Sequence, residues 1–473
     1  MGVACVLFYS LPVEASITAI FRGLEVCCCS EVYIVSSARR SESVKELCRV
    51  LRGVVRGVEF KALPIIPDVE DRPEEVGRVV SALRRLLGRL RACFIASAGS
   101  RLEVASTSMA LDRGLTDVIY VSFLWGPWTG AYYPFTPRPI QLVHVLHPGI
   151  EVFRECRGGL DLRGVGEVLL GEDVPPLRRE VLIAQLLINS ELGDRCVMYE
   201  GSGFSCGGVR VSARFRGRDV VVSEVGDYCS WDEVVRLTEE VSSNVEELGV
   251  GGMRDRDVKL YEALTTMVNV SGFRLPVVKE CIDGCGGLEG YALVDFLEGV
   301  GEELLIDTSL MYQGLHNYLH SARRGALLNV AIPLSTYVEM YEHRVHVPRN
   351  LYGEVRAELS RLLLEEVKYF KPKVVREVVV RPSEVGIALS KLGIAVTSDR
   401  KGFNNLYRLL FRRSVLTELR PVSDVKFKVS ERSRRASYAY YAIAQLKALS
   451  KLLGRVLSRR GLSISVTLTG GKR

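Results

Sequence analysis

Residues 3–9 (VACVLFY) are seven consecutive apolar positions, and this run constrains the fold more than any other feature. A strand-length stretch without polar alternation is buried on both faces, as in a parallel sheet covered by helices. The next 120 residues repeat the theme. After the short loop Ser10-Leu11-Pro12, residues 14–24 read as helix and 32–36 as a second strand. Residues 41–52 read as helix and 59–66 as a third strand. Pro73 stands near a helix start, which suits its fixed φ and missing N–H. From there Val76, Val79, Val80, Leu83, Leu86, Leu87 and Leu90 recur at helical spacing. Residues 92–96 and 118–123 read as further strands, with a helix at 102–111. Alternating strands and helices with short loops imply an α/β fold with a parallel sheet.

Length sets the domain count. A chain of 473 residues is too long for one ordinary core, and two or three domains are expected. The expected boundaries are 1–150, 151–300 and 301–473. No charge-free apolar run reaches about 18 residues, so no membrane span is expected. The first ten residues lack a basic n-region, so a secretory signal is not expected and the cytoplasm is. Twelve cysteines are scattered along the chain. Cys27, Cys28 and Cys29 are consecutive, and neighbouring strand residues point to opposite faces, so one metal does not take all three. Cys281 and Cys285 flank a Gly-containing turn with no partner pair at zinc-like spacing. Buried thiols in a reducing cytosol are the expectation. Scarce Gln and Asn, with Arg well above Lys, lean toward a thermophile, where a structural disulfide is compatible.

Ligands on doubly wound sheets bind beyond the carboxyl ends of the strands. The loops there carry Ser10, then Ser36, Ser37 and Arg39, then Ser97, Gly99, Ser100 and Arg101. Small hydroxyls, a glycine and an arginine at a helix N-terminus suit a phosphate. The same residues also suit capping of their own helices.

Residues 151–300 read as an intermediate module. A hairpin is expected around Arg216-Gly217, helices at 231–248 and 255–270, and loops at 201–208 and 284–290. The last part opens with an apolar strand ending in Asp307 and a helix to about residue 322. A short strand at 330–333 precedes a helix carrying Glu339. Helices are expected at 350–370 and 383–392, and a strand at 394–396 leads to Asp399. Carboxylates at the carboxyl ends of parallel strands can share Mg²⁺ or Mn²⁺ through hard oxygen ligands. Such metals lower the pKa of a bound water and stabilise charge on a phosphodiester. Glu384, at the start of the helix before the last strand, is a fourth candidate. Each acid also has an ordinary reading: Asp307 as an N-cap, Glu339 as a solvated helix residue, Asp399 as a turn residue before Gly402.

These residues carry a resemblance. Leu305-Ile306-Asp307-Thr308-Ser309 resembles the opening strand of PIN-domain nucleases. Ile332-Pro333-Leu334-Ser335-Thr336-Tyr337-Val338-Glu339 is similar to that family's second motif. Gly393-Ile394-Ala395-Val396-Thr397-Ser398-Asp399 looks like its last, and Glu384 falls where the family usually has Asp. The resemblance spans about 100 residues and implies metal-dependent cleavage of RNA with water as nucleophile.

The first 150 residues resemble a CARF domain, the Rossmann-like sensor associated with CRISPR systems. The carrier is Phe94-Ile95-Ala96-Ser97-Ala98-Gly99-Ser100-Arg101, where the family commonly has Thr-Gly-Gly-Thr-Lys. Here Ala98 replaces one glycine and Arg101 the lysine, giving a bulkier, fork-shaped phosphate donor. The resemblance implies a homodimer that binds a cyclic oligoadenylate of four or six units. CARF sensors fused to PIN nucleases are known, so the two resemblances fit together. The implied layout is a CARF-like domain (1–150), an intermediate module (151–300) and a PIN-like domain (301–473).

Charge completes the expectation. Residues 400–473 hold 18 Lys or Arg and three acids, Glu418, Asp424 and Glu431. That block carries about +15 within a chain of net +7, so a polyanionic partner is expected. Arg412, Arg413, Arg432, Arg434 and Arg435 are the candidate RNA contacts. On the basic helix expected at 433–459, Tyr438, Tyr440 and Tyr441 suit either base stacking or a packed face. Two other functions fit the same features: a CARF-type DNA-binding regulator without catalysis, and a ring nuclease that degrades the cyclic ligand.

Overall fold

The first apolar run forms β1 (Ala4–Phe8), buried at every position. It is the third of six strands in a sheet ordered β3-β2-β1-β4-β5-β6. Its partners are β2 (Glu31–Ser37) and β4 (Ala92–Ile95), both parallel to it. β3 (Glu59–Ile66) and β5 (Thr116–Phe123) continue the parallel order outward. Sequence reading missed β6 (Gln141–His147), which closes the edge antiparallel to β5. Helices α1 (Val13–Cys27), α2 (Ser41–Val54), α3 (Val76–Leu87) and α4 (Arg101–Ala110) alternate with the strands. Strand order reverses at β1, so the crevice between β1 and β4 is this sheet's switch point.

This computed structural model describes residues 3–10, 13–66, 73–87, 90–112, 114–123, 126–147, 170, 174–192, 207–250, 255–282, 286–322, 330–370, 373–375, 385, 387, 393–410 and 413–469. The chain divides into two compact units. The first comprises 1–123, 131–171 and 185–206, and the second 124–130, 172–184 and 207–473. The helix α5 (Pro176–Leu192) contributes residues to each.

The core of the first unit contains Val6, Phe8, Val35, Val79, Leu83 and Phe94. It also encloses a charged cluster. Arg22 donates to Glu25 at 2.6 Å, and Arg138 donates to Glu25 and to Tyr133, each at 2.6 Å. All four side chains are buried, and paired charge is what makes such burial tolerable. The expectation of free thiols fails in both units. Cys5 bonds Cys29 and Cys27 bonds Cys93, while Cys28, Cys229 and Cys281 are also in disulfides. Among the described residues, Cys48 is free and buried.

The second unit repeats the strand logic. β10 (Leu304–Ile306), β11 (Val330–Pro333), β12 (Lys373–Val375), β13 (Ile394–Thr397) and β14 (Ser414–Pro421) are parallel, in the order β12-β11-β10-β13-β14. The far edge is β9 (Arg274–Ile282), antiparallel to β14. That strand lies in the stretch read as a separate intermediate module, yet it pairs with β14 along its whole length. The hairpin expected around Arg216-Gly217 is β7 (Gly208–Phe215) and β8 (Arg218–Val225). Both turn residues have positive φ, 50° and 80°, as a two-residue hairpin turn requires. A third strand, β15 (Leu462–Thr469), pairs with β7 from the other end of the chain. Its helices include α6 (Trp231–Val250), α7 (Asp255–Ser271), the short α8 (Leu293–Leu297) and α9 (Thr308–Met311), α10 (Leu315–Ala322), α11 (Leu334–Val345) and α12 (Leu351–Phe370). They are followed by α13 (Glu431–Leu452) and α14 (Gly454–Arg459). The helix expected at 383–392 falls almost wholly outside the described residues.

Candidate functional site

Asp307 ends β10, at the point where the second sheet reverses direction, and is 1% exposed. It stands at the N-cap position of α9 but its side chain makes no capping bond. Instead Oδ2 accepts from the Thr397 hydroxyl at 2.5 Å and the Ser309 hydroxyl at 3.0 Å. Thr397 ends β13, so this bond crosses the switch crevice. Burial raises the Asp307 pKa; the two hydroxyls oppose that, and the charge of Glu339 adds to it.

Glu339 reaches the same place from α11. The Thr336 hydroxyl, one turn earlier, donates to the Ile306 carbonyl at 3.1 Å and fixes the helix start against the end of β10. The Glu339 carboxylate then accepts from the Thr308 hydroxyl at 3.3 Å. An acid at a strand end and an acid on helix α11 are thus close enough for the Glu339 charge to raise the Asp307 pKa, and both accept from hydroxyl groups.

Asp399 behaves differently. Its two carboxylate oxygens accept from the backbone N–H groups of Lys401 and Gly402, each at 2.9 Å, which caps the following helical turn. Its own N–H donates to Thr397 Oγ1 at 2.9 Å, so it is one hydroxyl away from Asp307. Of the two ordinary readings, the side-chain cap is not made by Asp307, whereas Asp399 caps the turn before Gly402. Among the described residues, no group of three or more His, Cys, Asp or Glu side chains is arranged to hold one metal ion. Glu384 lies outside the described residues.

Sequence reasoning missed a polar ring beside Glu339. Arg356 Nη2 donates to His343 Nε2 at 2.6 Å, which leaves the ring proton on Nδ1. Nδ1 lies 2.8 Å from the Tyr312 hydroxyl, and that hydroxyl lies 2.6 Å from Ser360 Oγ. Ser360 donates back to the Arg356 carbonyl at 2.7 Å and so closes the ring. Burial and the Arg356 charge push the His343 pKa down to about 4. Its 3.8 Å approach to Glu339 is therefore a contact of a neutral imidazole rather than an ion pair. No local signal announces this ring, because its members come from two helices and the turn after α9.

No family model matches the chain, and no curated protein matches it.

The N-terminal loops differ from the expected phosphate cradle. Ser100 caps α4 in a reciprocal box with Glu103: Glu103 N–H donates to Ser100 Oγ at 3.2 Å, and Ser100 N–H to Glu103 Oε2 at 2.8 Å. A buried carboxylate thus occupies the helix end where an anion was expected. Ser97 is engaged too, its hydroxyl accepting from Val121 N–H at 2.7 Å. Gly99 has φ +100°, and a Cβ there would come within 2.6 Å of Phe8 Cβ, so only glycine fits. Arg101 and Arg39 are exposed. Ser10 N–H donates to Ser16 Oγ at 2.7 Å. Ser36 and Ser37 end β2 with buried hydroxyls that have no hydrogen-bond partner among the described residues.

The candidate RNA-contacting arginines from Arg413 on are paired rather than left as an open cationic face. α13 is buried from Ala436 to Leu446, and Tyr438, Tyr440 and Tyr441 lie in the core. Tyr440 packs edge-on against Tyr228, and Tyr438 stacks on Phe427. The packed-face reading of these tyrosines holds. Arg413 pairs with Glu302 at 2.5 Å, Arg432 with Asp232 at 2.8 Å and Arg434 with Asp295 at 2.9 Å. Arg435 pairs with Glu431 and donates to the Val425 carbonyl at 2.9 Å. Arg412 lies outside the described residues.

Proposed function

We propose that the second unit is a metal-dependent endoribonuclease of the PIN-like type. The observation that carries this reading is Asp307: a fully buried carboxylate, raised in pKa, beside Glu339 at a switch point of a parallel sheet. Desolvated neighbouring carboxylates are stabilised by a cation. The donor set contains carboxylate and hydroxyl oxygens, which suits Mg²⁺ or Mn²⁺; these ions accept one or two carboxylates and fill the remaining positions with water. Asp307 and Glu339 would hold the ion. Asp399 keeps one lone-pair direction on each oxygen beyond its capping bonds and adds charge to the crevice. When bound, the ion supplies an activated water and stabilises charge on the scissile phosphate. Thr397 and Ser309 orient Asp307, and Thr336 sets the helix that presents Glu339.

The proposal extends to regulation. The first unit, on its resemblance to CARF sensors, takes a cyclic oligoadenylate as activator and forms a homodimer, acting in the cytoplasm. The observations in favour are the glycine-only position at Gly99 and the orphaned Ser36 and Ser37 hydroxyls at a strand end. The capping box at α4 moves the expected contacts away from Ser100 and toward Ser36, Ser37 and Arg39.

The test is Asp307→Asn, with Glu339→Gln beside it. In Mn²⁺, both variants lose cleavage of an unstructured RNA by roughly a hundredfold or more. Stability supplies a second readout. The folded state holds the Asp307 proton more tightly than the unfolded chain does, so metal-free stability falls as pH rises from the ordinary carboxylate range through the folded pKa. At neutral pH metal-free Asp307→Asn therefore melts at or above the wild type. Mn²⁺ raises the melting temperature of the wild type alone. Wild-type cleavage by Asp307→Asn overturns the nuclease reading.

A further inference from the structure

The helical run 400–410 follows Asp399 directly and contains Arg400, Lys401 and Arg408 but no acid. Its three segments are Arg400–Gly402, the wide π turn Phe403–Tyr407, and Arg408–Leu410. The run has two faces. Gly402, Phe403 and Tyr407 are buried, whereas Arg400, Lys401, Asn404, Asn405 and Arg408 are exposed. Arg400 and Lys401 have no ion-pair partner among the described residues. Arg408 has one loose contact, 3.8 Å to Glu280, with both side chains about half exposed or more at 60% and 45%. Further along the basic block Arg413, Arg432, Arg434, Arg435 and Arg460 are tied to acids; Arg400 and Lys401 are not, among the described residues.

Position matters as much as charge. Both Asp399 oxygens bond the backbone of Lys401 and Gly402, which fixes the first turn to the end of β13. Thr397, at the end of that strand, donates to Asp307. Four residues separate Lys401 from Thr397, and an extended chain spans at most about 14 Å over that distance. Arg400 and Lys401 therefore begin within that reach of the strand end that bonds Asp307.

We infer that this exposed face, through Arg400, Lys401 and Arg408, takes the phosphodiester backbone of a single-stranded RNA leading into the acid pair. The inference rests on the nuclease reading for the fate of the strand, but not for its binding. Arginine offers a paired donor fork to phosphate and lysine a point charge, and asparagine amides serve phosphate or sugar oxygens. Such contacts are sequence-independent, so the surface confers affinity and direction rather than base choice. The acids would repel the same backbone, and a cationic rim offsets that repulsion.

The experiment is equilibrium binding of the full chain to a fluorescein-labelled polyuridine RNA of about 20 nucleotides, followed by anisotropy in EDTA across a salt series. Without divalent metal no cleavage intervenes. The double variant Arg400→Gln/Lys401→Gln changes only exposed side chains, and its melting temperature serves as the folding control. Its Kd is expected to rise roughly tenfold or more. Its log–log salt slope is expected to fall by about 1.4, from roughly 0.7 per phosphate contact on a single strand. Arg432→Gln, in the C-terminal block, is expected to bind like the wild type. A double variant with wild-type Kd and slope overturns the inference, as does a wild type that does not bind the RNA. If binding is lost in the double variant while the wild type cuts nothing in Mn²⁺, the surface stands and the nuclease reading falls.

Discussion

Asp399 joins two roles that substitutions can separate. As a cap it accepts two backbone N–H groups, one on each carboxylate oxygen, and asparagine keeps one of these acceptors. As a charge beside Asp307 and Glu339 it has no neutral substitute. Asp399→Asn is therefore expected to melt slightly below the wild type, keeping one of the two capping bonds, and to lose Mn²⁺-dependent cleavage. Asp399→Ala loses both, with a stability cost of about 1 kcal/mol for the missing cap. Urea unfolding and a single-turnover cleavage assay on the two variants decide the matter. Full cleavage by Asp399→Asn would leave Asp399 as a cap alone and confine the site to two acids. The sequence made Asp307 and Asp399 visible because each follows a short apolar run, but it could not say which of them caps. That depends on Thr397, whose hydroxyl comes from a strand 90 residues away and draws the Asp307 carboxylate off its own helix.

Elements were legible where burial alone shapes the sequence. β1, β10 and β13 are interior strands, and their unbroken apolar runs give them away. β6, β9 and β15 sit at sheet edges with one side partly open, and β14 lies next to that edge; their half-polar patterns resemble loops or helices. Polar contacts between elements are less legible still. α12 illustrates this with Glu366, which is fully buried and caps α5 by accepting from the Arg178 N–H at 2.7 Å. His320 Nε2 approaches its other oxygen to 3.2 Å without hydrogen-bond geometry. Burial pushes the Glu366 pKa up to about 8, so near neutral pH it is largely protonated. An acid whose folded pKa is raised destabilises the fold as pH climbs toward that value. Buried His316, pushed down to about 3, acts in the opposite sense, but its effect is confined to pH below the ordinary histidine value of 6.5. Between pH 6.5 and 8 the Glu366 contribution remains, and the melting temperature is expected to fall across that window. Glu366→Gln keeps an acceptor for Arg178 and should flatten the slope. A wild-type profile that is level from pH 6.5 to 8 would refute the assignment.

At the scale of the whole molecule, the charge asymmetry that suggested a polyanionic partner has a second explanation. The basic C-terminal block meets acids that come from earlier in the second unit. Arg432 pairs with Asp232, Arg434 with Asp295 and Glu298, Lys451 with Glu180, and Arg460 with Glu354. β15 returns to β7 in the same way, so residues 462–469 are paired into the fold. These pairs are unequal. Arg432 and Asp232 are each 71% exposed, and such pairs contribute little. Asp295 is 2% exposed in its side chain, and its oxygens bond Arg434 and the Lys428 N–H, both at 2.9 Å. Removing Arg434 leaves a buried carboxylate short of its cation, at a cost of roughly 2 kcal/mol. Arg434→Ala should therefore lower the urea midpoint without a change in slope, while Arg432→Ala leaves it in place. Neither should change RNA affinity at low temperature, where both variants stay folded. If Arg434→Ala weakens RNA binding at unchanged stability, the block faces a polyanion after all and its pairing with Asp295 is secondary.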